Sequence, residues 1–182
     1  PERAASVVYC SATLATGLGP ASLGFFERSV GLARAGVTPA ELIVGAPFDY
    51  HANDTAVRYV TSGAYDPHPT IQTLSNAMDV GNPSNFVRLL ELFNHDHAAF
   101  TAVIRACAVS DAETVTTLRR VYDATGYLLD PHTAVGWTAA DRCADPALET
   151  VLIATADPVK FAAEIGEKAG IENLHPHNFR HT

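Results

Sequence analysis

Between Thr70 and Phe86 the chain reads TIQTLSNAMDVGNPSNF, and its polar residues are set too densely for a core element. Ser75, Asn76, Asp79, Asn82, Ser84 and Asn85 place hydroxyls, amides and one carboxylate within eleven residues, and Gly81 and Pro83 force a turn among them. A loop of that make-up can grip a small polar ligand through several directed hydrogen bonds. The same letters also fit a plainer role. Asn82 to Ser84 stand immediately before a helical run, where their side chains could do no more than cap its first amides, and on the residues alone capping is the commoner use.

Other groups capable of chemistry are scattered. His95 and His97 form an HDH triplet, but ligands two apart on a helix point away from each other and no third ligand follows at useful spacing. Surface or helix-end positions are therefore expected for them, and a metal-binding protein is the weakest of the functional classes considered. His175, His177 and His181 fall in a polar tail, residues 171–182, expected to be solvated. The loop Ser11 to Gly19 could cradle an anion with backbone amides, Ser11, Thr13 and Thr16, although an ordinary strand-to-helix connection is the preferred reading. His132 follows Asp130 and Pro131 at a helix start, where it either faces a ligand or bonds the neighbouring turn. Only two lysines occur: Lys160, and Lys168 among Glu164 and Glu167 on what reads as a solvated face.

Elements that could position these groups alternate along the chain. Ala5 to Tyr9 is a short apolar run rich in β-branched residues and reads as a buried strand. Pro20 suits a first helical turn, and Leu23, Phe26, Val30 and Ala33 recur at helical spacing until Gly36. Leu42 to Val44 makes the next strand, completing a βαβ unit with parallel strands. Asn53 and Asp54 would cap a helix over Thr55 to Val60. Phe86, Leu89, Leu90 and Phe93 share one helical face. Ala106 to Val109 is a strand, and Ser110 to Glu113 is a capping box opening a helix that runs to about Thr125 and stops at Gly126. Asp130 and Pro131 start another helix, Thr150 to Thr155 is the clearest buried strand, and Pro158 opens a last helix reaching Gly170. The result is a single α/β domain, residues 1–182, with a mostly parallel sheet flanked by helices; in such sheets ligands gather at the carboxyl ends of the strands.

Composition narrows the partners. The 182 residues suit one domain or one large piece of a bigger protein. A hydrophobic content of 47% with mean hydropathy +0.06 is that of a globular chain, and no apolar run is long enough to cross a bilayer. A formal charge of −8 repels nucleic acid and anionic membranes, so neither is an expected partner. Cys10, Cys107 and Cys143 stand far apart with no CxxC pair, the usage of a reduced, cytoplasmic protein. The chain starts at Pro1 with a strand-like run almost at once, which suggests a fragment.

Three stretches together resemble threonine synthase, a family of pyridoxal phosphate (PLP) enzymes. They are TLSNAMDV, TGYLLDPHTAVG and ATADPVKF, the last close to the family's ATAHPAKF. ELIVGAPFDYHANDTAVRYVTSGAYDP is similar to a family stretch in which a strand runs into an Asn-Asp pair, matched here by Asn53 and Asp54, with a few extra residues at Gly45 to His51. The resemblance spans Asn53 to Phe161 and weakens over the first fifty residues, where SATLATG stands in place of the family's phosphate loop of the form SGNFGN. It implies a fold type II PLP enzyme, tryptophan synthase β-like, converting O-phosphohomoserine and water to threonine and phosphate. It also implies that Thr155, at the carboxyl end of a strand, meets the pyridine nitrogen of PLP, with Asp157 in place of the family's histidine. Ser75, Asn76, Asp79 and Asn85 would line the substrate side. The family's Schiff-base lysine lies in its amino-terminal part, and Lys160 matches a different lysine. The implied chain is therefore a carboxyl-terminal portion needing an amino-terminal half, carried on the same polypeptide or on another chain, or else a non-catalytic remnant that binds a partner.

Overall fold

Among the described residues, four short strands form one parallel sheet in the order β3-β2-β1-β4. The computed structural model describes residues 5–9, 42–46, 55–69, 72–76, 79–147, 149–154 and 156–171. Its elements run β1 (Ala5–Tyr9), β2 (Leu42–Ala46), α1 (Thr55–Ser62), α2 (Ser84–Leu92), α3 (His97–Val103), β3 (Ile104–Ala108), α4 (Asp111–Thr125), α5 (Pro131–Cys143), β4 (Glu149–Ile153), a 3-10 turn (Pro158–Phe161) and α6 (Ala162–Ala169). β1 is flanked on both sides, pairing Val7 with Leu42 and, on its other edge, Val7 with Val151. β2 pairs in turn with β3 through Leu42 and Ile104. All three ladders are parallel, so each connection must cross over, and described helices lie between β2 and β3 and between β3 and β4.

The expected α/β architecture is thus the observed one, with local differences. β1 lies where the β-branched run put it. β2 extends to Ala46, while β3 begins two residues early, at Ile104 rather than Ala106. Small residues at the ends of these ladders pair as readily as the branched ones at their centres, and composition alone does not mark that boundary. β4 spans Glu149 to Ile153. Thr155, the loop Ser11 to Gly19, the helix expected from Pro20, the caps Asn53 and Asp54, and the histidines of the tail lie outside the described residues. Ile171, expected to begin the tail, instead belongs to the core, at 4% exposure.

Side chains alternate across β3. Ile104 joins a cluster with Tyr59, Phe86, Leu89, Leu90 and Phe100, in which Tyr59 sets its ring edge-on to Phe86 and to Phe100. Cys107 instead packs with Ala139 of α5. Residues 131–136, 138 and 139 of α5 are all buried, because the helix lies between the sheet and α4 and has no solvent face along most of its length. Thr138 donates to the Ala134 carbonyl at 3.0 Å, so Thr117 donates to Thr138 across the α4–α5 contact at 2.8 Å. A second core, Leu118, Val121, Leu128, Leu129, Phe161, Ile165, Ala169 and Ile171, fastens α6 to α4; each of its side chains larger than alanine is worth about 1.5–3 kcal/mol of burial.

Helix ends follow the letters closely. Ser110 accepts from the Glu113 amide while Glu113 accepts from the Ser110 amide at 2.8 Å, completing the capping box, and Gly126 ends α4 with φ 73°. Between α2 and α3 the chain reverses through Asn94 (φ 51°) and His95 (φ 57°), and His95 lies exposed beside Glu91. His97 opens α3 half-buried, its Nε2 3.1 Å from the Val60 carbonyl and its ring edge-on to Tyr59. Its role is to pack α3 on α1.

Candidate functional site

The loop after α1 is held at the carboxyl end of β3. Asp111, the first residue of α4, accepts from the Leu74 amide at 3.1 Å, and β3 ends three residues earlier. This is the edge of a parallel sheet at which ligands collect. Inside the loop, Asp79 closes a ring: its two oxygens accept from the Thr73 amide at 2.8 Å and the Thr73 hydroxyl at 2.6 Å. The Thr73 oxygen accepts from the Ser75 amide at 3.1 Å, and the Asn76 carbonyl accepts from the Asp79 amide at 3.3 Å.

These bonds sort the expected site residues. Ser75 is buried, at 1% exposure, whereas Asn76 is exposed beside it. Asp79 spends both oxygens on Thr73, so its carboxylate shapes the loop. Asn85 sits in the first turn of α2, and its side chain lies outside the described residues. Asn82 does not cap α2: the cap position is Pro83, without a side-chain hydrogen bond, and the Asn82 Oδ1 accepts from the Tyr65 hydroxyl at 2.8 Å. Tyr65 stacks on Phe86 with ring centroids 5.3 Å apart, and burial raises the pKa of its hydroxyl. The helix cap expected at Asn82 to Ser84 is thus replaced by a tether to the preceding segment.

Two residues that the letters did not single out set the loop's geometry. Thr73 is the hub of its hydrogen bonds, and Asp111 is its anchor. Nothing local marks Asp111 for this, since its partner lies 37 residues away and the capping box beside it already accounts for an acidic residue. Gly81 does more than turn the chain. Its carbonyl accepts from the His68 amide at 3.1 Å and from the Thr55 hydroxyl at 3.4 Å, and a Cβ at this position would stand 1.8 Å from the His68 oxygen.

Asp130 and His132 form a second polar cluster at the start of α5. Asp130 accepts from the amides of His132 at 2.9 Å and Thr133 at 3.3 Å, from His132 Nδ1 at 2.9 Å and from the Thr133 hydroxyl. Burial raises the pKa of this carboxyl, but the hydrogen bonds from His132 and Thr133 and the charge of His132 outweigh it and leave the net value below the ordinary carboxylate range. Because the carboxylate offers only acceptors, Nδ1 carries the proton, and Nε2 is a buried atom without a hydrogen-bond partner among the described residues. Of the two expected roles for His132, the bond to the neighbouring turn is the one seen.

The fold is that of the PLP-dependent enzymes of fold type II. Over 97% of its length the chain superposes on the PLP-bound threonine synthase of Brucella melitensis, with a TM-score of 0.71 and 29% identity, covering 40% of that chain. Within the class, its relatives are threonine synthases, and it corresponds to their carboxyl-terminal portion. The family described as "Threonine synthase, C-terminal" matches residues 133–181. The chain is 34% identical over 154 residues to the threonine synthase of Serratia marcescens and 37% identical over 133 residues to that of Haemophilus influenzae, matches taking in 85% and 70% of this chain. It spans 33% and 31% of those relatives' lengths.

Whether these residues could hold PLP covalently is decided by the lysines. Lys160 is exposed in the 3-10 turn, and Lys168 lies on the surface with Nζ 3.2 Å from Glu167. A lysine that forms a Schiff base near neutral pH needs a desolvated or cation-rich pocket to lower its affinity for protons. Neither lysine has one, so this stretch by itself does not fit a covalently held cofactor.

Proposed function

We propose that the chain is the carboxyl-terminal portion of a threonine synthase, an enzyme converting O-phosphohomoserine and water to threonine and phosphate with PLP. The observation that carries this reading is the loop 72–79 fixed by Asp111 at the carboxyl end of β3, in a chain whose relatives are threonine synthases. The lysine that holds PLP comes from the portion those relatives possess beyond this stretch, on the same polypeptide or another. This stretch supplies a wall of the site. Ser75, Asn76 and Asn85 line the substrate side, and Asp79 acts on it through the turn it closes with Thr73. Thr155 offers its hydroxyl to the pyridine nitrogen of PLP, a partner that leaves that nitrogen unprotonated. A cytoplasmic setting accords with the cysteine usage.

The test is to add PLP to the purified chain, reduce with borohydride, map any labelled lysine and assay threonine formation. The expected result is no specific labelling and no threonine until a lysine-bearing amino-terminal portion of a threonine synthase is supplied. Labelling of Lys160 or Lys168 together with threonine formation by the chain alone would overturn the division of labour, and failure to restore activity with any such portion would overturn the enzymatic reading.

A further inference from the structure

Away from the loop, two thiols meet where β3 passes the end of α5. Cys107 and Cys143 are both half-buried, neither is disulfide-bonded, and both pack around Ala139. Their side chains are within hydrogen-bonding reach of each other. Backbone anchors on either side fix the encounter. Arg105, two residues before Cys107 and on the same face of β3, donates from Nη1 to the Cys143 carbonyl at 3.0 Å. Arg142, the neighbour of Cys143, donates from Nη1 to the Ala108 carbonyl at 2.7 Å, bonds the Cys107 sulfur and pairs with Glu113. The two arginines thus cross between strand and helix beside the sulfurs.

We propose that Cys107 and Cys143 are a redox-modifiable dithiol that closes to a disulfide joining β3 to α5 when the protein meets hydrogen peroxide. The hydrogen bond with Cys143, then burial and the charge of Cys143, push the Cys107 thiol up, so Cys107 keeps its proton. The Cys143 thiolate attacks one peroxide oxygen. The O–O bond breaks, a sulfenic acid forms on Cys143, and the departing hydroxide takes a proton to become water. The Cys107 sulfur then attacks the Cys143 sulfur, the S–S bond forms as the S–O bond breaks, and the Cys107 proton leaves with the oxygen as a second water. The two thiols lose two electrons and two protons, and the peroxide is reduced to two waters. The sulfurs close to about 2.05 Å.

The experiment uses the unmodified chain. It is titrated with hydrogen peroxide, the remaining thiols are blocked, and the protein is digested with trypsin without reductant and analysed by mass spectrometry. Cleavage after arginine and lysine places Cys107 in fragment 106–119, Cys143 in 143–160 and Cys10 in 4–28. The expected product is 106–119 linked to 143–160, lighter than the sum of the two by two hydrogens, within a single chain and reversed by dithiothreitol. Sulfinic acid on either cysteine without that link, or a link formed by Cys10 or between chains, would overturn the proposal. With Arg142→Gln, closure is expected to slow several-fold because the bond to the Ala108 carbonyl that ties the end of α5 to β3 beside the two sulfurs is lost; an unchanged rate would remove Arg142 from the account.

Discussion

At the scale of single residues, Asp130 concentrates more structure than any other side chain described. One carboxylate caps α5, accepts from the His132 Nδ1 and holds the Thr133 hydroxyl, all at 1% exposure. Asp130→Ala is therefore expected to lower stability by about 2–4 kcal/mol in urea unfolding, combining a lost cap with buried donors left unpaired; a loss below about 1 kcal/mol would contradict the cluster's assigned weight. The depressed pKa of the carboxyl gives the sign of the pH effect. Its contribution is present in full above the unfolded value, near 3.9, and disappears as pH falls through the lower folded value. The gap between wild type and Asp130→Asn should accordingly narrow through that acid range, and a gap that stays constant to the lowest pH would mean that the charge is not its source.

Among elements, the loop and the start of α4 are one unit. Ser110→Ala removes an N-cap and should cost about 1 kcal/mol. Glu113, whose pKa is lowered first by the Ser110 amide and then by its hydroxyl, stabilises the helix start above its unfolded value and loses that effect as pH falls through the folded one. Gly81→Ala drives a methyl into the His68 carbonyl, so the turn must open; the expected loss is about 1–3 kcal/mol by thermal or urea unfolding, with increased hydrogen exchange at the His68 amide. An alanine variant as stable as wild type would show that the turn relaxes freely. The capping box was legible in the letters because its partners are three residues apart, and the strands because branched apolar runs have few alternatives. The tie from Asp111 to Leu74 and the Tyr65 tether on Asn82 were not, since they join segments whose proximity only the assembled sheet creates.

On the scale of the whole molecule, the composition and the three family-like stretches disclosed the architecture and the relatives, while the strand order stayed hidden because no local signal says which strands are neighbours. Among the described strands β4 is an end one, and Val151 at its centre is 40% exposed. An edge of this kind invites pairing, so the chain is expected to associate in a concentration-dependent way in analytical ultracentrifugation and Val151→Lys to weaken that association; a wild-type chain that stays monomeric at all concentrations would refute it. The strand order also reaches into synthesis. β1 holds the middle of the sheet, yet one of its two ladders is made with β4, almost the whole length of the chain away. At about 5–20 residues per second a ribosome needs about 7–28 s to travel from one strand to the other. Throughout that interval the first-made strand of this stretch waits with a bare edge, a substrate for chaperones or for a neighbouring nascent chain. Arrested chains of increasing length should become protease-resistant in this region only once Ile153 has left the exit tunnel.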